Sequence, residues 1–79
     1  MIKIKLVNML ESLDMTQAEL ARRTGIRPAT INEMFNGTIA RINVDHLSKI
    51  CDVLNCKVED LLEYVPDKEY YNYMKKLNM

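Results

Sequence analysis

The chain is expected to fold as an all-α domain of five short helices followed by a short C-terminal tail. Three observations carry that expectation. Apolar residues recur at helical spacing, i to i+3, i+4 and i+7, in separate blocks along the chain. Each block is bounded by residues that start or stop helices. The only breakers, two Gly and two Pro, all fall at block edges rather than inside them. Seventy-nine residues suffice for one hydrophobic core and no more, so a single domain is expected over residues 1–64, with 65–79 as the tail.

The first helix is placed at Ile2 to Leu13, where Leu6, Leu10 and Leu13 share one face. Its opening, Ile2-Lys3-Ile4-Lys5-Leu6, alternates apolar and charged residues, so an extended start stays open beside the helical one. The second helix begins at a capping box, Thr16-Gln17-Ala18-Glu19. The Thr16 hydroxyl is expected to accept from the Glu19 amide while the Glu19 carboxylate reaches back to the Thr16 amide. Met15 before the cap and Leu20 inside the helix form a hydrophobic staple. Gly25 supplies the left-handed residue that stops the helix after Thr24. Pro28 disfavours helical dihedrals at Arg27 but suits the first position of a new helix. The third helix therefore runs from Pro28 to Phe35 or Asn36 and ends at Gly37.

Asn43 caps a fourth helix whose core stripe is Val44, Leu47, Ile50, Cys51 and Leu54, with Asn55 at its end. A short fifth helix holds Val58, Leu61 and Leu62. In the tail, Tyr70, Tyr73, Met74 and Leu77 keep helical spacing with little else to bury, which makes a marginal helix or a disordered segment.

Formal charge is zero, with eleven basic against eleven acidic residues, so bulk charge argues neither for nor against a nucleic-acid partner. Its distribution says more, because residues 1–41 carry an excess of two positive charges and residues 42–79 an excess of two negative ones. Between positions 22 and 41, Arg22, Arg23, Arg27 and Arg41 stand against Glu33 alone. Arginine's planar fork of donors suits phosphate and base edges, so an anionic partner is expected there.

Two short helices joined across Gly25 by a three-residue turn define a helix-turn-helix. Ala21 is small where the helices cross, and Ile26 and Ile31 are apolar where the pair meets its core. The segment TQAELARRTGIRPATINEMFNG resembles the helix-turn-helix of the phage-repressor and Cro-type transcription regulators. The segment VDHLSKICDVLNCKVEDLLEY looks like the fourth and fifth helices of that family, so the likeness covers about residues 3–64. The resemblance implies a five-helix, lambda-repressor-like DNA-binding bundle whose third helix lies in the major groove. It also implies contacts by position: Gln17 to phosphate, Arg27, Pro28, Ala29, Asn32 and Glu33 facing the groove, and Thr38 and Arg41 holding the backbone. Independently of the family, helical spacing puts Pro28 or Ala29, Asn32, Glu33 and Asn36 on one polar stripe, with Ile31, Met34 and Phe35 pointing elsewhere. Asn32 suits a bidentate bond to adenine, Glu33 suits a cytosine amino group, and Pro28 and Ala29 suit thymine methyls.

The expected function is therefore a cytoplasmic, sequence-specific regulator of transcription, a repressor acting as a homodimer on a double-stranded DNA operator. No cofactor, metal, small-molecule ligand or membrane contact is expected. Its dimer surface is placed at Val58 to Tyr64 with the tyrosine-rich tail, or at Ile2 to Leu6 pairing as a strand across the two-fold axis. The reading left open beside it is a helical protein-interaction module, an antirepressor or antitoxin-like partner. Other chemistry is poorly served. The pattern His46-x4-Cys51-x4-Cys56 steps about 140° around a helix each time, which does not gather metal ligands. Both cysteines read as small buried hydrophobes in a reducing compartment. One histidine with no nucleophile beside it gives no enzyme. Apolar runs of two or three residues cannot span a membrane, and Lys3 and Lys5 interrupt the place where a secretory signal would need its apolar stretch.

Overall fold

A computed structural model describes residues 1–66. It contains β1 (Ile2–Ile4), α1 (Leu6–Ser12), α2 (Gln17–Thr24), α3 (Pro28–Asn36), α4 (Val44–Leu54), α5 (Val58–Leu61) and β2 (Leu62–Tyr64). The expected tail helix lies outside the described residues. Helix starts and stops fall where local chemistry demands them. The Glu19 amide donates to the Thr16 hydroxyl at 3.1 Å, and the Asp45 amide donates to Asn43 Oδ1 at 2.8 Å. Gly25, Gly37 and Asn55 end their helices at positive φ, in the left-handed conformation that releases a helix. One half of the expected capping box is replaced. The Glu19 carboxylate leans towards Arg22 and Arg23, at 3.9 and 4.0 Å, rather than back to the Thr16 amide.

The core gathers Leu6, Leu10, Leu20, Ala21, Ile26, Ile31, Met34, Ile50, Leu54 and Leu61. α2 packs on both α3 and α4, α1 packs on α3, and α5 closes the bundle against α1 and α4. Leu20, Ile31 and Ile50, on α2, α3 and α4, are all fully buried, and α2 packs on both of the other helices, so the core fixes the angle at which α3 is carried.

Several expectations are corrected. The first helix does not begin at Ile2: residues 2–4 form β1, antiparallel to β2 with Ile2 opposite Tyr64, Lys3 opposite Glu63 and Ile4 opposite Leu62. The Lys5 amide extends the pairing by donating to the Leu61 carbonyl at 2.7 Å, which leaves helix α1 to start at Leu6. Period-two alternation decided this start once a partner strand was at hand. That partner takes Leu62, which therefore belongs to β2 and not to the fifth helix. It also means that one edge of Ile2–Ile4 is paired within its own chain. Leu13, expected on the buried face of the first helix, is exposed, because α1 ends at Ser12 and the chain turns through the left-handed Asp14. Val44, expected on the core stripe, is 78% exposed, since the first turn of α4 projects past the packed stripe of Leu47, Ile50 and Leu54.

The cysteines are free and half-buried rather than fully buried. Burial pushes the Cys56 thiol up to about 11, and the neighbouring Cys51 and Asp60 push in the same direction, so the thiol stays protonated and weakly nucleophilic at neutral pH. Among the described residues no helix is long and apolar enough to cross a membrane.

Candidate nucleic-acid interface

α3 is nine residues long, and among the described residues nothing packs over one side of it. Ala29, Asn32, Glu33 and Asn36 are exposed along that side, while Ile31 and Met34 are buried on the other and Phe35 packs partly against the core. The helix is bracketed by cations. Arg27 precedes it at the N-cap position, exposed and making no side-chain cap, and the exposed Arg41 follows its end. Because Pro28 has no amide hydrogen and Arg27 supplies no cap, the first free amides of α3 face outward at the positive end of the helix dipole.

The structure draws three of the expected contact residues into one row. Gln17 opens α2, half-buried, and its Oε1 accepts from Asn32 Nδ2 at 3.2 Å across the two helices. Asn32 Oδ1 in turn accepts from Asn36 Nδ2 at 3.1 Å, one helical turn along. Thr38 is fastened to the end of α3, its amide and hydroxyl donating to the Glu33 carbonyl at 2.9 and 3.4 Å. Arg41 and Glu33 line an open cleft with Thr30, Ile39, Asn43 and His46. Arg27 and Pro28 stand apart from the amide row, on the rim of a shallow apolar hollow lined by Ala18, Ala21 and Ile26.

One residue that matters here escaped the sequence reading. Thr24 is buried at the end of α2, where its hydroxyl donates to the Leu20 carbonyl at 2.7 Å and accepts from the Ile26 amide at 3.2 Å. It therefore fixes the turn that aims α3. Threonine's habit of bonding back to the carbonyl four residues earlier hints at this, but the second bond depends on the turn itself. Thr24→Val keeps the shape and strands the Ile26 amide. It should lower stability by about 1–3 kcal/mol in urea titration, the cost of an unmade buried bond.

The sequence matches a family model described as the Cro/C1-type helix-turn-helix DNA-binding domain over residues 5–67. It is also similar to YozG of Bacillus subtilis (strain 168), described as an uncharacterized HTH-type transcriptional regulator. The two are 36% identical over 61 residues, which span 77% of this chain and 73% of that protein.

Proposed function

Since this chain belongs to the Cro/C1-type helix-turn-helix DNA-binding family, and is accordingly a DNA-binding transcription regulator, we infer that α3 enters the major groove and reads base edges there. The observation that carries this reading is the open polar side of α3, bracketed by Arg27 and Arg41 and joined to the start of α2 through Gln17. B-DNA's major groove is about 12 Å wide and admits one helix. Residues 1–64 serve as the binding unit. Arg27, Asn32 and Glu33 face the groove with Asn36 on the same stripe, Pro28 and Ala29 face thymine methyls, and Gln17, Thr38 and Arg41 hold the phosphate backbone.

A helix of this length spans only a few base pairs, so the protein acts as a homodimer on an inverted repeat with half-sites about one DNA turn apart. The proposed role is that of a cytoplasmic repressor occupying its operator. Sedimentation of the full chain with a two-half-site duplex should give two protomers per duplex. One protomer per duplex would remove the dimer from the proposal.

Selection of bound duplexes from a random pool tests the central claim, and recovery of no preferred sequence would return the bundle to a protein-binding role. On the selected site, Asn32→Ala should cost about 1–3 kcal/mol and relax preference at one base pair. Arg41→Ala should instead weaken binding evenly on all sequences, because phosphate contacts position the protein without reading bases.

A further inference from the structure

We propose that Cys51 and Cys56 form a dithiol site, which a small disulfide such as oxidised glutathione closes reversibly into a disulfide within one chain, without disturbing α3. The chemistry of the site does not depend on how α3 meets DNA.

Five residues apart on an unbroken helix, two side chains point about 140° away from each other. Here the helix stops between them. α4 ends at Leu54, and Asn55 takes the left-handed conformation at φ 50°. The Asn55 amide then donates to the Asp52 carbonyl at 3.4 Å, and the Cys56 amide to the Cys51 carbonyl at 3.1 Å. These two bonds are those of a Schellman ending, which folds the second residue past the helix back onto the last full turn and commonly brings two apolar side chains into contact there. In this chain both of those positions hold cysteine. The thiols meet, and that of Cys56 is hydrogen-bonded to Cys51. Both are free and half-buried, so a reagent in solution reaches them.

Closure proceeds by two exchanges. Burial, Cys51 and Asp60 hold the Cys56 thiol protonated, which leaves Cys51 to open the reaction and Cys56 to finish it. The Cys51 thiolate attacks one sulfur of the glutathione disulfide, whose S–S bond breaks as one glutathione leaves as thiolate. Cys56, giving up its proton, then attacks the Cys51 sulfur of the mixed disulfide and expels the second glutathione. Two protein thiols are oxidised, one glutathione disulfide is reduced to two glutathiones, and the two cysteine protons end on them. The corner so closed joins α4 to α5, whereas α3 packs on α1 and α2, so the exposed side of α3 stays as it is.

The test incubates the full-length chain with about 0.1 mM oxidised glutathione at about pH 8.5, where an ordinary thiol is half ionised. Products are read by mass spectrometry and maleimide labelling. A short tether gives the second thiol an effective concentration of millimolar or more, so the closed form should outnumber the mixed disulfide by about tenfold or more. It should be lighter than the reduced chain by two hydrogens, accept no maleimide, run as a single chain under denaturing conditions and reopen with dithiothreitol. Cys56→Ser should stop at one glutathione on Cys51. Chains that accumulate mixed disulfides, or become cross-linked to one another, would overturn the proposal, because either outcome means that the two thiols do not meet. Closed and reduced chains should bind a selected duplex equally well. A loss of affinity on closure would overturn the separation of this corner from α3.

Discussion

Affinity for a selected duplex is expected to fall with a slope of about −4 to −5 per protomer when its logarithm is plotted against the logarithm of salt concentration. The figure follows from roughly four to six phosphates neutralised per protomer by arginines and helix amides, each releasing a little under one condensed counterion. A tenfold rise in salt would then weaken one protomer's contacts by about ten-thousand-fold. The effect is local in origin, because the whole chain carries no net charge and exerts no long-range attraction as a monopole. Arg22 and Arg23 already lie near the Glu19 carboxylate, but both guanidinium groups are well exposed, and exposed pairs of this kind contribute little and yield readily to a phosphate. Fluorescence anisotropy across a salt series gives the slope directly. A slope near zero would show that these arginines meet no phosphate and would overturn the DNA reading.

The second large effect is on folding. Ile31 is fully buried on the inner side of α3, and Ile31→Ala is expected to destabilise the protein by about 2–5 kcal/mol through lost burial and an unfilled cavity. At roughly 0.05–0.15 kcal/mol per residue, a domain of this size holds about 4–12 kcal/mol of stability in total, so the variant should lose a large share of it. Val44→Ala removes a similar apolar group from a side chain that is 78% exposed, and should change stability by no more than about 0.5 kcal/mol. Urea titration of the two variants side by side checks the assignment of core and surface. Equal losses would mean that α3 does not pack as described.

The helices were legible because their signals are local. Thr16, Gly25, Pro28, Gly37, Asn43 and Asn55 each act on neighbours within a few residues, and each acts at the position the sequence indicates. The ladder was half-legible. Alternation at Ile2–Ile4 left an extended start open, but a three-residue strand is too short to declare itself, and its partner lies some sixty residues away at Leu62–Tyr64. Val44 kept the right spacing for a core position, yet spacing does not say where along a helix the packing begins. In the candidate interface, the exposed stripe of α3 followed from 3.6-residue periodicity. The row through Gln17, Asn32 and Asn36 did not, because it depends on how α2 crosses α3, which the core decides and no short segment encodes. Thr24 was hidden for the same reason.

The ladder has a mechanical consequence. Met1 and Val65 exchange backbone hydrogen bonds at the open end of β1 and β2, so the two extremities of the folded unit emerge side by side. Tension applied between them meets the rungs in sequence, first Met1 with Val65, then Ile2 with Tyr64, and onward to Ile4 with Leu62. Bonds loaded one after another peel at far lower force than bonds sheared together. A load transmitted through both ends would therefore strip β1 from β2 before it reached Leu6, and the helices that carry the α3 surface would keep their arrangement while the clasp opened and reclosed.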